Sequence, residues 1–233
     1  MSITLPFAII FLAGLANAFF QLDLGGLLLL YHSSLKKHVS KKTKTLVSNY
    51  ILGISLMIVL CLGSVSFVIL SFFDGELKVG AMSVIVGILL SLAMIFFTVY
   101  YRIGRTTELW LPRAITKYVN DRAEKTSSRV EAFSLGMLTS LAELPFSIIL
   151  FFIASDSLLK LQSSYQILGI LLYIFMATLP LLICRFFIRR GRTIVEIQRW
   201  RVKNKTFLKF TCGMGFVALA IFLIAFKIVG ELF

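Results

Sequence analysis

Val47-Ser-Asn-Tyr-Ile-Leu-Gly-Ile-Ser-Leu-Met-Ile-Val-Leu-Cys-Leu-Gly-Ser-Val-Ser-Phe-Val-Ile-Leu-Ser-Phe-Phe73 contains no charged residue. Coiled as a helix rising about 1.5 Å per residue, it is longer than the roughly 30 Å hydrocarbon core of a bilayer. Hydrocarbon offers no water to a free amide, so helix is the form such a run must take there. Working outward, further runs of Leu, Ile, Val, Phe, Ala and Gly give predicted spans at 4–31, 47–73, 81–101, 132–154, 164–184 and 207–229. The chain is 58% hydrophobic with a mean hydropathy of +0.92, against about 45–50% apolar in a soluble domain. A soluble fold could not cover its surface with the polar residues that remain. A membrane barrel would need alternating segments of about ten residues, and the sequence has none. The expected fold is therefore an all-α membrane protein with six transmembrane helices.

The charges are segregated. Five lysines fall between 36 and 44, seven basic residues between 102 and 129, and nine between 185 and 209; together they are 21 of the 24. Only Lys78, Lys160 and Lys227 lie elsewhere. Every second loop is basic, so those loops face the cytoplasm and both termini face outside, in a plasma membrane of prokaryotic type. The net charge of +13 then implies contact with anionic lipid headgroups, not nucleic acid. The stretch Arg185-Phe-Phe-Ile-Arg-Arg-Gly-Arg-Thr-Ile-Val-Glu-Ile-Gln-Arg-Trp-Arg continues a span and reads as an interfacial helical extension. The start, with Ala16-Asn-Ala18, imitates a signal peptide but lacks a basic n-region, and its apolar run continues to Leu30. Cys61, Cys184 and Cys212 lie on three different spans without a CxxC pair, which favours packing roles over a disulfide or zinc. His32 and His38 fall in the first cytoplasmic loop and read as solvated.

The polar stretch 102–131 divides the chain into a first repeat (1–101) and a second (132–233), joined by a basic cytoplasmic linker. Phe11-Leu-Ala-Gly14 aligns with Phe133-Ser-Leu-Gly136, and Ile51-Leu-Gly-Ile54 with Ile167-Leu-Gly-Ile170. Gly87, Ile95, Phe96 and Gly104 align with Gly213, Ile221, Phe222 and Gly230. Three spans per half is an odd number, so the halves run in opposite senses. That is a 3+3 inverted-topology repeat, a common plan of secondary transporters.

With this size, this repeat and a glycine-then-polar break in the first and fourth spans, the chain resembles the superfamily of LysE-type exporters and CcdA-type thiol-electron carriers. CcdA-type members carry a cysteine beside a proline in those two spans. Here the matching stretches read Gln21-Leu-Asp23 and Glu143-Leu-Pro145. The missing thiols disfavour electron transfer, and the remaining resemblance implies export of a small solute.

Asp23 and Glu143 are the acidic residues deep within the predicted spans. A charge at mid-bilayer costs roughly 2.5–3.5 kcal/mol on insertion scales, a cost tolerated where the group meets a cavity or a partner. Asn17, Gln21, Thr139 and Ser140 add neutral polar groups nearby. Pro145 removes an amide, and Gly25-Gly26 weakens the first helix, so both helices are expected to break here. Asn17, Gln21, Asp23, Thr139, Ser140, Glu143 and Pro145 form the predicted substrate or ion site. The competing readings put Asp23 near the headgroups beside a lysine, and make Glu143 a protonated packing residue. Pro180 is expected to kink the fifth span, with Thr178 available for the freed carbonyl, and Gly213 and Gly215 to allow close helix contact.

No phosphate loop, HExxH or nucleophile elbow occurs, so the expectation is a non-enzyme without cofactor. The leading function is secondary transport of a cation or amino acid. The alternatives are lipid or lipid-linked export, or a non-transporting membrane subunit of a complex; a homo-oligomer or a partner protein is the expected association.

Overall fold

A computed structural model describes residues 3–18, 40–102, 121–123, 125–189 and 194–228. Gln21, Asp23, His32 and His38 lie outside the described residues. The elements run α1 (Thr4–Asn17), α2 (Ser40–Phe72), α3 (Val79–Arg102), α4 (Arg129–Leu159), α5 (Ser163–Arg189), α6 (Ile194–Lys203) and α7 (Lys205–Leu223). The last continues as a π-helical turn over Ile224–Ile228.

Five of these helices are long and apolar enough to cross a bilayer, over Thr45–Phe72, Val79–Thr98, Arg129–Leu159, Ser163–Phe187 and Thr206–Ile228. α1 is apolar but only 14 residues long, about 21 Å at helical rise. The rest of the predicted first span lies outside the described residues. Leu52, Phe67, Val84, Met94, Ile167 and Leu171 all stand more than half exposed on these helices. In water such surfaces would drive aggregation; against lipid they are the ordinary outside of a bundle. The architecture is that of a helical membrane protein.

α4 corrects the predicted boundaries at both ends. It starts inside the stretch assigned to the linker, because Ser128 and Glu131 form a capping box. The Ser128 hydroxyl accepts from the Glu131 amide at 3.2 Å, and the Glu131 carboxylate accepts from the Ser128 amide at 3.2 Å. It ends at Leu159 instead of 154, so Ser155, Asp156 and Ser157 are helical. The helix is also continuous through Pro145, and α5 through Pro180. The expected break at Pro145 does not occur. Thr178 donates to the Ile174 carbonyl at 2.8 Å, not to the Met176 carbonyl freed by Pro180.

α2 and α4 share the longest seam of the bundle, α3 lies along α7, and α1 packs against α4, α5 and α7. Two glycines permit the α2–α4 approach. A Cβ on Gly53 would stand 2.1 Å from the Phe133 carbonyl oxygen, and one on Gly136 2.1 Å from that of Tyr50. Between α2 and α3 the chain reverses through Asp74 (φ 56°) and Gly75 (φ 90°). The Gly75 amide returns to the Ile69 carbonyl at 3.3 Å and closes the helix end. This turn sets the position of Leu77.

Candidate functional site

Along α4, polar residues recur on the side that faces the bundle. Thr139 (0% exposed), Ser140 (8%), Glu143 (5%), Ser147 (3%) and Ser155 (0%) are all buried. Spacings of three and four residues keep such positions on one helix face. In a membrane helix the inward face is where polar groups find partners. The Tyr50 hydroxyl donates to Thr139 Oγ1 at 3.1 Å, and Thr139 donates onward to the Gly136 carbonyl at 3.0 Å. The Ser147 hydroxyl donates to the Glu143 carbonyl at 3.2 Å. Ser155 donates across to the Leu62 carbonyl of α2 at 3.1 Å. The α2–α4 seam is therefore tied by hydroxyls at two levels, with the Glu143 side chain on the stretch of α4 between them.

Of the predicted site, Thr139, Ser140 and Glu143 share this buried side. Asn17 is half-buried as the final residue of α1, which packs on α4. Pro145 is exposed and so faces away from the interior.

A second polar group, at the far end of the bundle, was not anticipated from the sequence. Asp156 is fully buried on α4. The Leu77 amide, delivered by the α2–α3 turn, donates to its Oδ1 at 2.9 Å. Its Oδ2 meets the ammonium of Lys227, 6% exposed, from the π-helical turn after α7. Lys160, one turn along α4, stands 3.9 Å from the same oxygen and 3.7 Å from the exposed carboxylate of Glu76. Four charges alternate from the surface inward, binding the turn, α4 and the end of α7 together. The signal available in the sequence was Lys227 itself: a lysine inside a predicted span requires a carboxylate partner. Ending the fourth span at 154 hid that partner.

Cys61, Cys184 and Cys212 are buried on α2, α5 and α7. No group of three or more His, Cys, Asp or Glu that could hold a metal ion occurs among the described residues. Comparison with protein-family models, with curated proteins and with solved structures gives no match.

Proposed function

We propose that the chain is a secondary transporter that exports a small solute, a cation or an amino acid, across the plasma membrane. The observation that carries this reading is Glu143, a carboxylic acid 5% exposed near the middle of a membrane-length helix. Thr139 and Ser140 lie beside it, and the end of α1 bears Asn17, with Gln21 and Asp23 following in the chain. An ionisable group at that depth marks a solute or ion pathway more often than it marks packing.

The inverted repeat is part of the same proposal, with α1, α2 and α3 related to α4, α5 and α7, six crossings, and both termini outside. Its support is the exchange pattern of contacts between the halves. α1 packs on α5 as α4 packs on α2, α1 packs on α7 as α4 packs on α3, and α3 meets its own counterpart α7. Binding at the repeat interface then follows the general plan of such carriers.

The test is solute retention in proteoliposomes holding the wild type, Glu143→Gln or Asp23→Asn at matched amounts. The panel covers divalent metals, cationic amino acids and an imposed pH gradient. Loss of at least tenfold in rate for Glu143→Gln, with folding intact, is the expected result. Variants that match the wild type on every solute move lipid export or a subunit role to the front.

A further inference from the structure

Gly136 and Gly14 mark corresponding crossings. A Cβ on Gly136 would meet the Tyr50 carbonyl oxygen, and a Cβ on Gly14 would meet the Tyr173 carbonyl oxygen at 3.0 Å. This equivalence pairs Tyr50 with Tyr173, both fully buried, and shifts the register of α2 on α5 by seven residues from the Ile51/Ile167 alignment. Seven residues is about two helical turns, so the same faces stay inward.

The shifted register matches independent features. Ser55 donates to the Ile51 carbonyl at 2.9 Å as Thr178 donates to that of Ile174. Cys61 and Cys184, both buried, also become equivalent, each 123 residues from its counterpart as the tyrosines are. The α1–α4 alignment, in which Gly14 and Gly136 are 122 apart, pairs Asn17 with Thr139.

One contact breaks the symmetry. The Tyr50 hydroxyl is bonded to Thr139. The Tyr173 hydroxyl, 0% exposed, has no hydrogen-bond partner among the described residues. A buried hydroxyl without a partner is costly, so an arrangement that completed its bond would be favoured. The seam beside it is approached less closely than the α2–α4 crossing. The α2–α4 crossing has glycine on both sides, whereas Gly14 faces Met176, whose Cβ lies 3.0 Å from where a Gly14 Cβ would stand.

Resting on the repeat and transport reading above, we infer that α1 shifts on α5 during the cycle until Asn17 meets the Tyr173 hydroxyl. That contact repeats, in the other half, the one Tyr50 makes with Thr139. Because Asn17 ends α1, the shift moves the end of the helix that leads to Gln21 and Asp23. The α2–α4 seam stays closed.

The test uses the full chain with Cys61, Cys184 and Cys212 replaced by Ala and a protease site placed between 103 and 120. One variant carries Tyr50→Cys with Thr139→Cys, the other Asn17→Cys with Tyr173→Cys. Each is treated with a bis-methanethiosulfonate of about the reach of a tyrosine side chain, then cut. The first pair should join the halves in nearly all molecules. The second should join them in a reproducible fraction, reduced several-fold by Gly14→Val. Absence of the second product where the first forms overturns the inference.

Melting provides a check that needs no cysteines. Tyr50→Phe should lower the melting temperature and Tyr173→Phe should not. An equal loss would mean that Tyr173 is already bonded, and would also overturn the inference. A crosslinking protein that moves no solute retires the transport reading and leaves the contact standing. Transport without the crosslink retires the contact alone.

Discussion

Asp156 joins three segments of the chain through one buried carboxylate. Its carboxylate holds the Leu77 amide on one oxygen and the Lys227 ammonium on the other. Removing one partner of a buried pair leaves the other uncompensated, at about 3–5 kcal/mol, while removing both is far milder. Lys227→Met should therefore destabilise by that order, and Asp156→Asn combined with Lys227→Met should recover most of the loss. Thermal unfolding in detergent, arranged as a double-mutant cycle, measures the coupling. A single-variant cost below about 1 kcal/mol would mean that the Asp156 charge is met by Lys160 instead. Glu143 was legible from the sequence because a lone acid in an apolar run is conspicuous. Asp156 was not, since an acid two residues past a predicted span end looks solvated. Which oxygen meets which amide depends on the turn at Asp74 and Gly75, and no local pattern reports that.

At the scale of the element, glycine separates what sequence comparison conveys from what only packing reveals. Gly53, Gly87, Gly136 and Gly213 all entered the repeat alignment on equal terms. The structure distinguishes them. Gly53 and Gly136 lie where the α2 and α4 backbones touch, while nothing stands within 4 Å of a Cβ on Gly87. Gly213 packs against the Phe97 ring, 2.7 Å from a Cβ position. Its close helix contact was expected, and α3 is the helix it touches. Gly136→Ala should thus cost at least about 1–3 kcal/mol through forced separation of the two helices. Gly87→Ala should be neutral or stabilising by up to about 1 kcal/mol from helix propensity alone. Comparing the two melting temperatures checks both. For the five membrane-length helices existence was readable, because apolar length is a sum over many residues. Helix ends and the fate of Pro145 were not, because each depends on one or two hydrogen bonds. The capping box at Ser128 shows how few: one hydroxyl and one carboxylate extend α4 into the segment taken for a linker.

For the whole molecule, the charge count and the ion-pair geometry support each other. Of the three lysines outside the basic loops, Lys160 and Lys227 are held by Glu76 and Asp156. The predicted outer end thus carries cations neutralised by acids, while the predicted inner loops carry theirs in excess. With the native cysteines removed, Lys78→Cys should react with an impermeant maleimide in intact cells. Ser127→Cys should react only after lysis. Both positions are exposed, and the reverse pattern would invert the topology. The pairing of Lys227 with Asp156 also bears on biogenesis. Lys227 follows α4 and the α2–α3 turn in the chain and is therefore synthesised after both. Its charge is compensated only once α4 and the α2–α3 turn are in place. α7 should then insert stably only into a bundle that has already assembled, which makes Asp156 a checkpoint on assembly. Chains truncated before Lys227 would leave a buried carboxylate uncompensated and be exposed to membrane quality control.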